Sequence, residues 1–144
     1  MRFRWAYPLV MAAVFTAGAA AAEPAGYWNG DPDFPLACSD GGEAWYLHRS
    51  AAKITANDAA ALVFSADVFV VQAGQDPNAY EFRRYWFRKP QSEDPYTVYV
   101  RQGDAGEWTA LSLADPEDRT AAALFLAGWE AAAGFPYGLA APEG

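Results

Sequence analysis

One cysteine and one histidine serve all 144 residues of this chain, and ten Lys and Arg face eighteen Asp and Glu. Each scarcity excludes something. Cys38 alone cannot form an internal disulfide, so the fold must be held by its core, and burial as a small hydrophobe is the expected state of its thiol. His48 and Cys38 together fall short of a zinc ligand set. The formal net charge of −8 argues against nucleic-acid binding and against attraction to anionic lipid. No glycine-rich phosphate loop precedes a helix, and the acidic residues gather in loops and at a helix start, where solvation accounts for them. A Cys38–His48 dyad is conceivable because the two lie close in sequence, but no motif surrounds it. The sequence therefore predicts no enzyme, no metal and no cofactor.

Long apolar runs are also missing. Arg2 and Arg4, the apolar stretch at 9–17 and the small residues Ala20, Ala21 and Ala22 before Glu23 fit a secretory signal peptide over residues 1–22. The run is too short for a membrane span, which needs about 20 apolar residues. Cleavage would leave no transmembrane segment and, with Arg2 and Arg4 gone, a net charge two units more negative. The expected location is periplasmic or extracellular, and what remains is enough chain for one modest core.

Residues 23–43 carry Pro24, Gly26, Gly30, Pro32, Pro35, Gly41 and Gly42, and read as an extended N-terminal arm or loop with Tyr27, Trp28 and Phe34 as anchors. Asp31, Asp33, Asp40 and Glu43 do not have the spacing of a calcium loop. Residues 44–138 read as a single α+β domain, and 139–144 as a flexible tail. Strands are expected at 45–49, 53–56, 61–71, 80–88, 96–101 and 107–111, joined by turns such as 74–78 and 103–106. The clearest is 61–71, where Leu62, Phe64, Ala66, Val68 and Val70 alternate with a mixed set running from Val63 to Val71.

The only helix follows Asp115 as N-cap and Pro116 as first helical residue. Ala121, Leu124, Phe125, Gly128 and Ala132 form its apolar stripe, and Gly134 ends it. Gly128 within that stripe costs about 1 kcal/mol relative to alanine, which close approach to the sheet would offset. The expected architecture is an antiparallel meander of about five strands with this C-terminal helix packed across one face.

The stretch 80–89 stands out. It places five aromatics and four cations in ten positions, although two of the chain's ten cations lie in the leader. Tyr80, Phe82, Arg84, Trp86 and Arg88 fall on one side, and Glu81, Arg83, Tyr85 and Phe87 on the other. Neither side is purely apolar, so the pattern leaves open which meets the core. Arginine beside Trp86 or Tyr85 suits an anion or a sugar ring, with cation–π pairs worth about 0.5–1 kcal/mol when exposed. Arg83, Arg84, Tyr85, Trp86 and Arg88 are the candidate ligand-binding residues. The competing reading is that Asp67, Glu81, Glu93 and Asp94 neutralise the cations while the aromatics fill the core.

The layout resembles a loose group of small exported bacterial domains, mostly uncharacterised and akin to the surface-adhesin class. The likeness is carried by the Trp45-Tyr46-Leu47 strand with Ser50 after it, Val63-Phe64-Ser65, the aromatic-basic strand from Phe82 to Phe87, Trp108, and the closing Leu126-Ala127 and Tyr137-Gly138. His48 stands where that group more often has aspartate. The resemblance implies adhesion and brings no catalytic residues with it. The expected function is interaction with a protein or an envelope surface, with binding of a small anionic or glycan ligand through 80–89 as the alternative. A thiol-dependent enzyme or redox partner acting through Cys38 is the third reading.

Overall fold

The structure, a computed structural model, describes residues 24–138. The signal peptide expected at 1–22 and the tail expected at 139–144 lie outside the described residues. Seven strands follow in order: β1 (Leu36–Asp40), β2 (Glu43–Leu47), β3 (Lys53–Asn57), β4 (Ala61–Gln72), β5 (Tyr80–Pro90), β6 (Thr97–Gln102) and β7 (Thr109–Ser112). The helix α1 spans Arg119–Ala133 and closes the domain. The expected α+β architecture of antiparallel sheet and one C-terminal helix is present, but the sheet is larger than the expected five strands.

Two features account for the difference, one unexpected strand and two expected strands that lie end to end. β1 lies inside what reads in sequence as an arm, and pairs with β2 through a hairpin at Gly41-Gly42. Both glycines have positive φ, 58° and 84°, as a tight two-residue turn of the primed kind requires. The second feature is a broken strand. β2 pairs with Val68–Gln72 of β4, and β3 pairs with Leu62–Ser65 of the same strand. Both run antiparallel to β4 on its same side, separated by a short 3-10 turn at Arg49–Ala51. Taken as one interrupted strand, they leave an up-and-down path of β1, β2 with β3, β4, β5, β6 and β7.

The alternation of β4 decides where the core sits. Leu62, Phe64, Ala66, Val68 and Val70 are all buried and face α1, because side chains two apart share a sheet face. Phe64, Phe87 and Phe125 meet there with ring centroids 5.2–5.5 Å apart. The register of β5 on β4 runs without a break from Ala61 opposite Pro90 to Val71 opposite Tyr80. That register settles the question left open by periodicity: Tyr85 and Phe87 enter the core, and the even-numbered residues from Tyr80 to Arg88 take the opposite face.

The helix begins one turn later than its sequence suggests. Asp118, not Asp115, is the N-cap, its carboxylate accepting from the Ala121 N–H at 2.9 Å. Gly134 ends the helix in the left-handed conformation. Tyr137 tucks back onto Phe125 and Trp129, and its hydroxyl donates to the Pro95 carbonyl at 2.7 Å. On the other face of the sheet the 24–35 segment lies over β2 and β4. Trp28 stacks on Phe69 at 5.1 Å and Phe34 on His48 at 4.4 Å, whereas Tyr27 stays exposed. No helix among the described residues is long and apolar enough to cross a membrane.

Candidate functional site

The face turned away from α1 is only half covered. The arm reaches the Tyr80 end of β5, where Trp28 packs edge-on against the Tyr80 ring at 5.0 Å and its indole N–H donates to the Pro77 carbonyl at 2.8 Å. From there the even-numbered side chains of β5 stand in a row, each paired across to β4: Tyr80 with Val71, Phe82 with Phe69, Arg84 with Asp67, Trp86 with Ser65 and Arg88 with Val63. Tyr80 and Phe82 are about half exposed, and both pack edge-on against Phe69, at 5.1 and 5.4 Å. That backing holds the rings in place without hiding them.

Next along the row, Arg84 grips Asp67 with both ends of its guanidinium fork, Nε to Oδ1 at 2.7 Å and Nη2 to Oδ2 at 3.2 Å. Such paired hydrogen bonds fix orientation as well as charge, and the Asp67 carboxylate raises the Arg84 pKa above its ordinary value. The guanidinium carbon also sits 5.7 Å from the centre of the Phe82 ring. The Trp86 indole N–H donates to Asp104 at 2.9 Å. Arg101, opposite Trp86 on β6, lies between two indoles, 5.4 Å from Trp86 and 4.8 Å from Trp108. Among the described residues neither Arg88 nor Arg101 makes an ion pair.

The five residues singled out from sequence do not share this surface. Arg84, Trp86 and Arg88 do. Arg83 turns to the helix side, where its guanidinium covers Trp45 at 4.8 Å and forks onto Glu81 at 2.9 and 3.0 Å. Tyr85 is 4% exposed within the core. The neutralising pairs weighed in the sequence are present in part: Asp67 takes Arg84 and Glu81 takes Arg83, whereas the Lys89 ammonium donates to the backbone carbonyls of Glu93 and Asp94. Phe82, Arg101, Asp104 and Trp108 belong to the surface without having been singled out. Only the pairing of β6 and β7 brings the last three beside β5, and no local pattern announces that register.

A second polar cluster pins the arm. Asp33 Oδ2 accepts from the Ser50 hydroxyl at 2.6 Å and lies 3.1 Å from His48 Nε2, and Ser50 Oγ is 3.2 Å from that same nitrogen. These are the residue types of a hydrolase triad in another arrangement. A relay needs the imidazole to meet the carboxylate through one nitrogen and the hydroxyl through the other. Here one nitrogen faces both, and the hydroxyl proton points at the carboxylate. The Ser50 hydrogen bonds, chiefly that of its side chain, hold Asp33 below the usual carboxylate range. The cluster works as a clasp.

Cys38 packs on the helix side of the sheet beside the main core, while His48 stacks with Phe34 on the arm side. The sheet separates them, so they form no dyad. Burial pushes the Cys38 thiol up to about 11. Among the described residues no group of three or more His, Cys, Asp and Glu is placed to hold a metal ion. The chain matches no family model, no curated protein and no solved structure.

Proposed function

We propose that this chain is a non-catalytic exported domain of the cell envelope or its surroundings, acting by contact with a protein or a surface. The observation that carries the reading is the row from Tyr80 to Arg88, exposed at Tyr80, Phe82 and Arg84 and half-buried at Trp86 and Arg88, with the half-buried Arg101 and Trp108 beside it. Its aromatics are rigidly backed and its chief ion pair is locked, so it meets a partner with little side-chain entropy left to lose. Tryptophan, tyrosine and arginine are also the residues that dominate contact energetics at interfaces. The signal-peptide pattern at 1–22 and the resemblance to exported adhesin-like domains support the same assignment, as does the separation of His48 from Cys38. Binding of a small anionic or glycan ligand at 80–89 is the second reading, favoured by the Arg84–Asp67 pair beside the Phe82 ring.

Binding of the purified domain to cell-surface preparations of its source organism tests the proposal. Saturable binding should weaken at least tenfold in Arg84→Ala and Trp86→Ala, corresponding to about 1.4 kcal/mol or more. Binding that ignores both substitutions would remove this face from the contact. Steady turnover of a defined substrate, abolished by His48→Ala or Cys38→Ala, would overturn the non-catalytic assignment.

A further inference from the structure

We infer that the partner of this face is an uncharged glycan, laid along β5 across Tyr80, Phe82 and the Arg84–Asp67 pair. The inference rests on the contact role proposed for this surface and adds the chemistry of what it meets. Three observations carry it.

The first is a pair of half-exposed rings. Tyr80 and Phe82 are 48% and 47% exposed, neighbours on one side of one strand, and both braced by Phe69, with Trp28 of the arm edge-on against Tyr80 at 5.0 Å. Side chains two apart on a strand sit roughly 7 Å from each other, so the rings form a strip and not a single spot. A hydrated sugar ring, with C–H groups on its faces and hydroxyls at its rim, stacks on such rings without having to give up all its water contacts.

The second is the polar pair at the end of the strip. The Arg84 fork spends two of its N–H groups on Asp67 and keeps the rest free, while the carboxylate retains unused lone pairs. A fixed donor set beside a fixed acceptor set matches hydroxyl groups, which both donate and accept. A carboxylate or phosphate ligand has no use for the acceptor and is repelled by it.

The third is charge. Arg84 is neutralised by Asp67, Asp104 sits at the Trp86 indole, and Glu93 lies 3.3 Å from the Tyr99 hydroxyl on the same face. Around this patch spreads a chain of net charge −8. Arg88 and Arg101 do not outweigh that field, and a polyanion approaching it is opposed at long range. An uncharged ligand is indifferent to the field and meets only the aromatic and hydrogen-bonding features.

The test is a titration of the purified chain with cellohexaose, mannohexaose, chitohexaose and, as the charged comparison, oligogalacturonate, followed by aromatic NMR shifts. At least one of the three neutral oligosaccharides should bind in the millimolar range or tighter and move the Tyr80 and Phe82 ring signals. Phe82→Ala should weaken that binding at least tenfold and Arg84→Ala several-fold, while Phe135→Ala, an exposed aromatic far from the strip, should leave it unchanged. Phe82 is half exposed, so its loss leaves the core intact, and Phe82→Leu serves as a second variant that keeps bulk without the ring. No binding of any neutral probe, preferred binding of oligogalacturonate, or a Phe82→Ala variant that binds as the parent does would overturn the inference. The two proposals fail separately. Surface binding that is lost in Arg84→Ala yet is not competed by neutral oligosaccharide leaves the contact role standing and removes the glycan, pointing to a polypeptide partner. Surface binding untouched by Arg84→Ala and Trp86→Ala removes both.

Discussion

Gly128 of α1 lies flat against the Phe64 ring of β4: a methyl on its α-carbon would meet Phe64 Cε1 at 2.9 Å and the Ala66 methyl at 3.4 Å. The helix reaches the sheet this closely because the residue beneath it has no side chain. In an exposed helix, replacing glycine by alanine gains about 1 kcal/mol. At this position the added methyl must displace a ring that is 1% exposed and wedged between Phe87 and Phe125. Overpacking of that kind costs about 1–3 kcal/mol. Gly128→Ala should therefore lower stability in urea unfolding, and a stabilised variant would mean that the helix stands farther off.

The start of α1 makes a second test, since two aspartates three residues apart compete for the cap. Asp118 holds the Ala121 N–H, while the Asp115 backbone N–H merely donates to Ser112 Oγ at 3.3 Å. Losing a capping aspartate costs about 1 kcal/mol, whereas a surface aspartate without such a bond is worth within about 0.5 kcal/mol of nothing. Asp118→Ala should shift the unfolding midpoint and Asp115→Ala should not. The reverse order would place the cap at the earlier aspartate.

These two cases mark where the sequence is legible. The stripe of α1 and the alternation of β4 are long enough that burial follows directly from spacing, and Gly128 gives itself away as the one poor helix former inside the stripe. Leu36–Asp40 is different: five residues between a proline and a glycine pair hold too little alternation to register, and only the paired glycines hint at a hairpin. The face of β5 is ambiguous for a deeper reason. Arginine and tryptophan serve equally well against a core and against a partner, so the composition of 80–89 is the same for either orientation. Pairing with β4 decides it, through residues far away in the chain. The same holds for Arg101 and Trp108, which join the surface only through the registers of β6 and β7.

The clasp between the arm and the Arg49–Ala51 turn should respond to acid. Asp33 is held below its ordinary range, first by the Ser50 hydroxyl and with a smaller contribution from His48. A carboxyl depressed in the folded state contributes stability that is present above its unfolded value, about 3.9, and is lost as pH falls through the folded value. The Ser50 and Arg49 amides, which donate to Asp33 Oδ1 and to its backbone carbonyl, report on it directly. At pH 6, Asp33→Asn should reduce hydrogen-exchange protection at Ser50 relative to the parent. As the pH is lowered through the depressed folded value, the parent should approach the level of the variant. Protection at Ser50 that never declines as the pH is lowered from 6 to the onset of global acid unfolding would show that the carboxylate does not hold the arm.

Cys38 supplies the test of chemical inertness. With the thiol at about 11, its thiolate at pH 8 is roughly a hundred times scarcer than that of an ordinary exposed cysteine, and only the thiolate reacts. A more basic thiolate is also a better nucleophile, which restores roughly tenfold. The remaining factor of about ten is a lower limit, because contact with the core and the Thr120 side chain also restricts access to the sulfur. Iodoacetamide at pH 8 should therefore label the native protein at least tenfold more slowly than the urea-unfolded chain. Thr120→Ala, which removes a hydrogen bond that lowers the pKa, should not speed the native reaction through ionisation. Any acceleration in that variant would measure steric shielding alone. Equal labelling rates in native and unfolded protein would mean an accessible, reactive sulfur, and the thiol-dependent reading of Cys38 would then displace the inert one.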